Sequence, residues 1–578
     1  MGKKAILISV ICSIIVVAVL GVSSLVHVFK KDEQKPQEGG QQVVNQTINE
    51  GNNKGSKEDP YYIYNTETFV NLLSLYGDKQ KNYREAVKVD KKDENGNVVK
   101  DENGNVVKEN KLDEYGYIVY EDVKDENGNV IKEPYHFELY NDIDFSGVSY
   151  KTLFGDGKAF SGVINGKGFS VKNISVNVTT ENFGEYLFAK EGAETSSYAH
   201  IGIFGDLKNA VIENITFTGI SVFVSNDVYD YVNNNLWNEK KTNLEELTVG
   251  TIAACSENST ISANVSATVD ANTYGVWLEN EEKETQNQGR NFVGGFVGYA
   301  YNTSITSPKA DANEISIILD GKSEDVYAGG VAGGLFESDV TAMTLRVNVS
   351  SNSKLNYYIG GIAGYAKTSE ITISKVDLNV TQVETERAFN DPIYISNADL
   401  IEKYNGVGGI VSVVRADDET QNTKIYGVTV TSIVDMDCIF GGAVYRVKSA
   451  DETEENTFVE LTNLTVSSDV KALKAYGLGF LIPHTKFEYT ENYVLQKTQN
   501  QNGVEHEYNI ILKGSVSLLS GENKEGHQEF ATSVISQNRQ SNSSVVGNLK
   551  NIYFICSTDI YDKAGIIVGS VYGNVTFI

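Results

Sequence analysis

The chain of 578 residues has six prolines, four cysteines, three methionines and two tryptophans. Each scarcity excludes something. Cys12, Cys255, Cys438 and Cys556 are far apart and form no CxxC pair, so neither a disulfide framework nor a zinc-ribbon site is expected. Buried free thiols are the expectation for Cys255, Cys438 and Cys556. Arginine is nearly absent, so the positive charge is almost all lysine, and the net charge is −28. Nucleic-acid binding needs clustered cations to neutralise phosphates, and this balance argues against it. It argues equally against docking on anionic lipid. A hydrated extracellular surface and loosely held divalent cations are compatible with it.

Long apolar runs are also rare. The exception is AILISVICSIIVVAVLGVSSLVHVF, residues 5–29, which carries no charge. About 20 helical residues cross a hydrocarbon core roughly 30 Å thick, so this run is long enough to span. We read residues 1–4 as a cytoplasmic stub and 5–29 as a single-pass signal anchor, with the bulk of the chain extracellular. Gly21-Val22-Ser23 and Val22-Ser23-Ser24 resemble cleavage sites, which leaves secretion after signal-peptide removal as the alternative. Residues 30–60 are polar and are expected to be a disordered linker.

Only one amphipathic helix is visible. In NTETFVNLLSLYG, Phe69, Leu72, Leu73 and Tyr76 share one helical face, Asn65 is a natural N-cap and Gly77 a stop. Residues 61–85 are assigned to this helix, placed to cap the β-structure that follows. Between 86 and 133 a small unit recurs: DENGNVVK at 93 and 101, DEYGYIVY at 113 and DENGNVIK at 125. Asn-Gly beside apolar pairs predicts β-hairpins. Asp93, Asn95 and Asn97 have the first spacings of a calcium loop, but Val98 and Gly104 stand where that loop needs glycine and a bidentate glutamate.

What the chain has in abundance is glycine, 52 residues of it. One motif recurs: IGIFGD at 201, VGTIAA at 249, VGGFVG at 293, AGGVAG at 328, IGGIAG at 359, VGGIVS at 407, FGGAVY at 440 and AGIIVG at 564. Weaker copies start at Tyr476 and Phe530. The base period is 31 to 36 residues, stretched in four units by insertions. Alternating apolar residues follow each copy, as in Ile371, Ile373, Val376, Leu378 and Val380. A fixed period without intervening helices predicts an all-β parallel β-helix (solenoid) over 134–578. A propeller is the alternative, although its blades need about 40 to 50 residues. The recurring glycines, Gly202, Gly250, Gly294, Gly295, Gly329, Gly330, Gly360, Gly361, Gly364, Gly408, Gly409, Gly441, Gly442 and Gly565, lack phosphate-loop spacing. They are expected to serve the backbone, at turns or where rungs approach too closely for a side chain.

FELYNDIDFSG, FSGVINGKGFSVKNISV and the repeated GGIAGY…SEITI resemble bacterial surface proteins with GLUG-type repeats. They also resemble the β-helical N-terminal region of IgA-specific metallo-endopeptidases. The resemblance covers residues 60 to about 450 and implies a right-handed parallel β-helix, adhesin-like, outside a Gram-positive cell. The chain has no HExxH and no LPxTG-like signal, so neither protease activity nor sortase anchoring is carried over.

Site chemistry is sparse. Asp142 and Asp144, and Asp417 and Asp418 after Arg415, are the only carboxylate pairs that a polysaccharide lyase or hydrolase would draw on. The first pair lies where Asn and Asp fix turns, and the second in a polar loop. We expect no catalytic residue, no metal site and no cofactor, with an enzyme on the same scaffold as the alternative. Recognition is expected in the insertions: 223–246 with Tyr229, Tyr231 and Trp237, 274–290 with Trp277, 384–404, and 482–507 with Tyr489 and Tyr493. Glycan or protein ligands suit exposed aromatics; packing of these rings onto the body is the alternative. The chain ends mid-strand at GNVTFI, as a piece of a longer protein would.

Overall fold

A computed structural model describes residues 53–189, 196–225, 227–231, 243–273, 290–310, 312–321, 326–351, 357–382, 405–416, 423–436 and 438–449, with strand segments between 457 and 575. The predicted span 5–29 lies outside these residues. Among the described residues no helix is long and apolar enough to cross a membrane.

Strands dominate, and successive repeats pair in parallel and in register. Tyr357–Gly360, Ala363–Lys367, Glu370–Thr372 and Lys375–Gln382 make one rung. The rung before it and the rung after it supply the matching strands of three long sheets. Among the described residues, seven successive rungs carry strands of both the first and the second sheet, with first strands starting at 196, 243, 290, 326, 357, 405 and 438. This is a parallel solenoid. A propeller, built of antiparallel blades, is excluded by the same pairing.

The core forms because inward positions repeat. Ile201, Val249, Val293, Ala328, Ile359, Val407 and Phe440 occupy one column of the first sheet and are buried in every rung. Each large aliphatic side chain buried in this way contributes about 1.5–3 kcal/mol. Alternation sends its neighbours outward, so the repeat pattern and the core are the same fact.

The first corner is the glycine motif. None of the described repeat glycines has a positive φ. A β-carbon on Gly364 would lie 2.6 Å from the Tyr327 carbonyl carbon of the preceding rung. On Gly294 it would lie 2.6 Å from the Val297 carbonyl carbon of its own rung. The first and second sheets therefore approach backbone to backbone along a seam. Close approach, not left-handed geometry, selects glycine here. Gly565 lies outside the described residues.

The second corner uses the opposite device. Asn209, Asn258, Asn302, Glu337 and Thr368 are left-handed, with φ between 46° and 54°. A buried hydroxyl follows each of the last four: Ser259, Thr303, Ser338 and Ser369. Ser338 Oγ accepts from Thr303 N at 3.0 Å and donates to the Phe336 carbonyl at 2.8 Å. Ser369 and Ser259 make the same pair of bonds. The hydroxyl column satisfies backbone donors that a sharp corner removes from the sheets.

The N-terminal part departs from expectation in two places. Residues 53–60, assigned to the linker, pack on the body. Asn53 and Ser56 are buried, and Lys81 Nζ bonds both oxygens of Asn53. Polar bonding holds this segment, so composition could not reveal it. Helix α1, Thr66–Tyr76, forms as predicted: Asn65 and Thr68 make a reciprocal capping box, and Phe69 and Leu73 are buried.

The insertion starts at Gln80, which pairs with Pro134, and is more than a row of hairpins. Each Asp-x-x-Gly turn closes on itself. Asp93 Oδ1 accepts from the amides of Asn95 and Asn97, both at 2.9 Å. Both its oxygens accept bonds from within the turn. The strands beyond the turns join in threes. Lys91 N donates to Val107 O, Val107 N to Val99 O, and Val99 N to Lys91 O, closing a ring of backbone bonds. Val87, Val119 and Lys111 close a second ring, and Tyr83, Ile131 and Val123 a third. The arm is thus three tiers of backbone hydrogen bonds with almost no apolar core.

Candidate functional site: an aromatic and polar column along the first two sheets

Outward side chains of the first and second sheets meet beside the glycine seam. In the first sheet the outward column reads His200, Thr248, Phe292, Tyr327, Tyr358 and Gly406. In the second sheet it reads Asp206, Cys255, Tyr299, Gly334, Tyr365, Val413 and Arg446.

In the later rungs the two columns stack rings. Phe292–Tyr327 and Tyr327–Tyr358 are stacked at 5.6 and 5.0 Å. Tyr299–Phe336 and Phe336–Tyr365 are stacked at 4.7 and 5.1 Å. Two glycines leave slots that rings fill. A β-carbon on Gly334 would lie 2.9 Å from the Phe336 ring, and one on Gly406 would lie 2.8 Å from Cζ of Tyr445. Such pairs add about 0.5–1.5 kcal/mol each beyond area burial.

The first two rungs fill the same columns with polar groups. His200, almost fully buried, is held by Asp206, whose Oδ1 lies 2.7 Å from Nδ1. The other ring nitrogen, Nε2, lies 3.4 Å from Cys255 Sγ and 3.5 Å from Glu246 Oε1. Thr248 donates to the same glutamate oxygen at 2.7 Å. The Phe188 ring closes the site edge-on at 4.7 Å. Burial opposes charge on His200, but Cys255, Asp206 and Glu246 outweigh it and hold the imidazole well above its ordinary range. Burial pushes the Cys255 thiol up to about 11, with His200 pulling the other way. A Cys-His-Asp order also belongs to thiol nucleophiles, but those need a depressed thiol pKa and open access. This cluster favours the protonated imidazole of His200.

The sequence expected Cys255 and Cys438 to be inert buried thiols. Cys438 is buried, while Cys255 is half-buried against His200. The cluster was missed because 55 residues separate its two central members. The signal that could have found it was a polar residue in register columns that are otherwise aromatic.

Of the predicted carboxylates, Asp142 and Asp144 are bonded into the turn and its neighbours. Asp142 accepts from Ser170 N at 2.8 Å and pairs with Lys172 at 2.6 Å, and Lys172 with the Ser170 amide holds its carboxyl below the usual range. Asp144 is held at about 2 by bonds from Asn173 and Ser146. In a cleft lined by Asp78, Lys151, Asp156, Lys158 and Glu185, Lys151 pairs with Glu185 and Lys158 with Asp156. Asp417 and Asp418 lie outside the described residues.

Of the predicted recognition residues, Tyr231 packs inward: its ring meets Phe183 edge-on at 5.7 Å and covers Gly184. Tyr229 falls in the short helix Val228–Tyr231, its side chain outside the description. Trp237, Trp277, Tyr489 and Tyr493 lie outside the described residues. Sequence reasoning missed a more exposed group. Tyr62, Tyr64 and Tyr140 are 36%, 42% and 60% exposed, with Tyr64 and Tyr140 centred 4.8 Å apart. Parallel pairing of Tyr61–Ile63 with Phe137–Leu139 brings them together, while Tyr61, Ile63, Phe137 and Leu139 face the core. The alternation in YYIYN was the available signal. On the arm, Tyr115 and Tyr117 replace the Asn of the other turns and are 76% and 60% exposed.

The fold and these columns define an all-β parallel solenoid. Comparison with known proteins finds no matching family model, no matching curated protein and no matching solved structure.

Proposed function

We propose that the chain is a membrane-anchored, extracellular surface protein, adhesin-like in use, that binds a glycan or a protein through aromatic side chains on a right-handed β-solenoid. In this reading residues 5–29 anchor it and helix α1 covers the N-terminal end of the coil. The resemblance to GLUG-repeat surface proteins and the charge of −28 support an exterior location. The observation that carries the reading is the cluster of Tyr62, Tyr64 and Tyr140. Three tyrosines this exposed and this close, on a rigid sheet face, make a platform for sugar rings or an apolar protein patch. Lys54 Nζ sits 4.9 Å over the Tyr62 ring and Lys172 pairs with Asp142 in the neighbouring turn, which adds polar groups at the rim.

The test is a glycan and extracellular-matrix array probed with the full chain and with the Tyr64→Ala/Tyr140→Ala variant. The expected result is a captured ligand whose signal falls at least tenfold in the variant while its melting is unchanged. Silence of the array, or binding indifferent to both tyrosines, overturns the reading.

A further inference from the structure

From the geometry around His200 we infer that rungs one and two hold a divalent transition ion of the Zn²⁺ class. Its ligands are Nε2 of His200, Sγ of Cys255 and a carboxylate oxygen of Glu246. Asp206 is the outer partner on Nδ1.

Three observations point the same way. The first is spacing. Zn–N distances of about 2.0–2.1 Å and Zn–S of about 2.3 Å give tetrahedral edges of roughly 3.4–3.6 Å. The separations from His200 Nε2 are 3.4 Å to sulfur and 3.5 Å to the glutamate oxygen.

The second is orientation. A metal-binding imidazole almost always gives its other ring N–H to a carboxylate, which fixes tautomer and ring plane. Asp206 does this at 2.7 Å. The same bond leaves Nε2, the nitrogen facing sulfur and glutamate, as the position that a metal would take in exchange for its proton. Thr248 fixes the glutamate in turn.

The third is charge and place. Two carboxylates from adjacent rungs face one imidazole in an enclosed site, with side-chain exposures of 4% for His200, 18% for Asp206 and 19% for Glu246. Rungs three to five fill the same two columns with stacked rings. An ion bridging His200 of the first rung to Cys255 and Glu246 of the second would clip the two rungs where that stack is missing. A thiolate, an imidazole and a carboxylate together suit Zn²⁺ or Co²⁺, and not Ca²⁺ or Mg²⁺. The partly exposed edges of Asp206 and Glu246 provide entry.

The test uses the full chain stripped with a chelator and titrated with Co²⁺, a spectroscopic substitute for Zn²⁺. The expected result is one cobalt per chain, a thiolate-to-cobalt charge-transfer band in the near ultraviolet, and loss of that band on adding Zn²⁺. Cys255→Ser, nearly isosteric, abolishes the band while its metal-free melting matches the parent. Asp206→Asn keeps the band and weakens cobalt binding about 10- to 100-fold, the effect of losing an outer partner. The inference is overturned if the parent shows no such band, or if the band survives in Cys255→Ser.

Discussion

Consider a single methyl group added at Gly361. Its β-carbon would lie 2.7 Å from Cγ1 of Val376 and closer still to the Gly409 carbonyl oxygen of the next rung. Backbone cannot rotate aside as a flexible side chain does, so the two rungs must part. Three bonds cross at that corner: Gly361 N to Gly408 O at 3.3 Å, Ile362 N to Ile410 O at 2.8 Å, and Ala363 N to Ile410 O at 3.2 Å. At about 0.5–1.5 kcal/mol each, losing all three costs roughly 1.5–4.5 kcal/mol. The sign is what makes the prediction sharp. Gly361 is not left-handed. Without the steric block, Gly361→Ala would stabilise by about 0.4–1 kcal/mol through the unfolded state. The assay is urea unfolding followed by circular dichroism, together with hydrogen exchange at the amides of Ile362 and Ala363. We expect a lower midpoint and loss of protection at those amides, with the arm at residues 80–134 untouched. Gly361→Val should be worse. A variant that unfolds with or after the parent would refute the close-approach account of the whole seam.

Other consequences can be measured in the same way. Ser338→Ala leaves the Thr303 amide without its 3.0 Å acceptor inside the second corner, and should cost about 1–3 kcal/mol by urea unfolding. Gly406→Ala should evict the Tyr445 ring from its slot beside Tyr358, visible as a changed near-ultraviolet circular dichroism spectrum. Asp144 has a folded pKa of about 2, below its unfolded value of 3.8, so its stabilisation is complete above pH 4 and disappears as pH falls through 2. A carboxyl NMR titration should show the low midpoint, and Asn173→Ala, which removes one of its donors, should move it upward.

The parts of this molecule that repeat could be read from the chain, and the parts that happen once could not. The glycine seam was legible because Gly250, Gly294, Gly329, Gly360, Gly408 and Gly441 occupy one register position, and a steric constraint accepts only one residue type. The second corner was harder. Its left-handed position takes Asn258, Glu337 or Thr368, because the hydroxyl that follows does the stabilising, so no single letter recurs. In the arm, Asn-Gly announced the turns, but closure of Lys91, Val99 and Val107 into a ring depends on pairing that no local pattern encodes. His200 and Cys255 meet only because two rungs stack, and Tyr62 meets Tyr140 only through the pairing of strands 61–63 and 136–139.

The parallel stacking also determines how the molecule answers to force. In a solenoid the hydrogen bonds between rungs run along the coil axis, so tension applied end to end loads them in series and opens the weakest rung first. Each opening releases the chain of one repeat. From Gly329 to Gly360 that is 31 residues, and from Gly360 to Gly408 it is 48. At about 3.4 Å per extended residue, the steps are roughly 105 and 165 Å. The insertions that break the sequence period would thus set the lengths by which the protein yields, and the unequal repeat becomes a graded extension built into one chain.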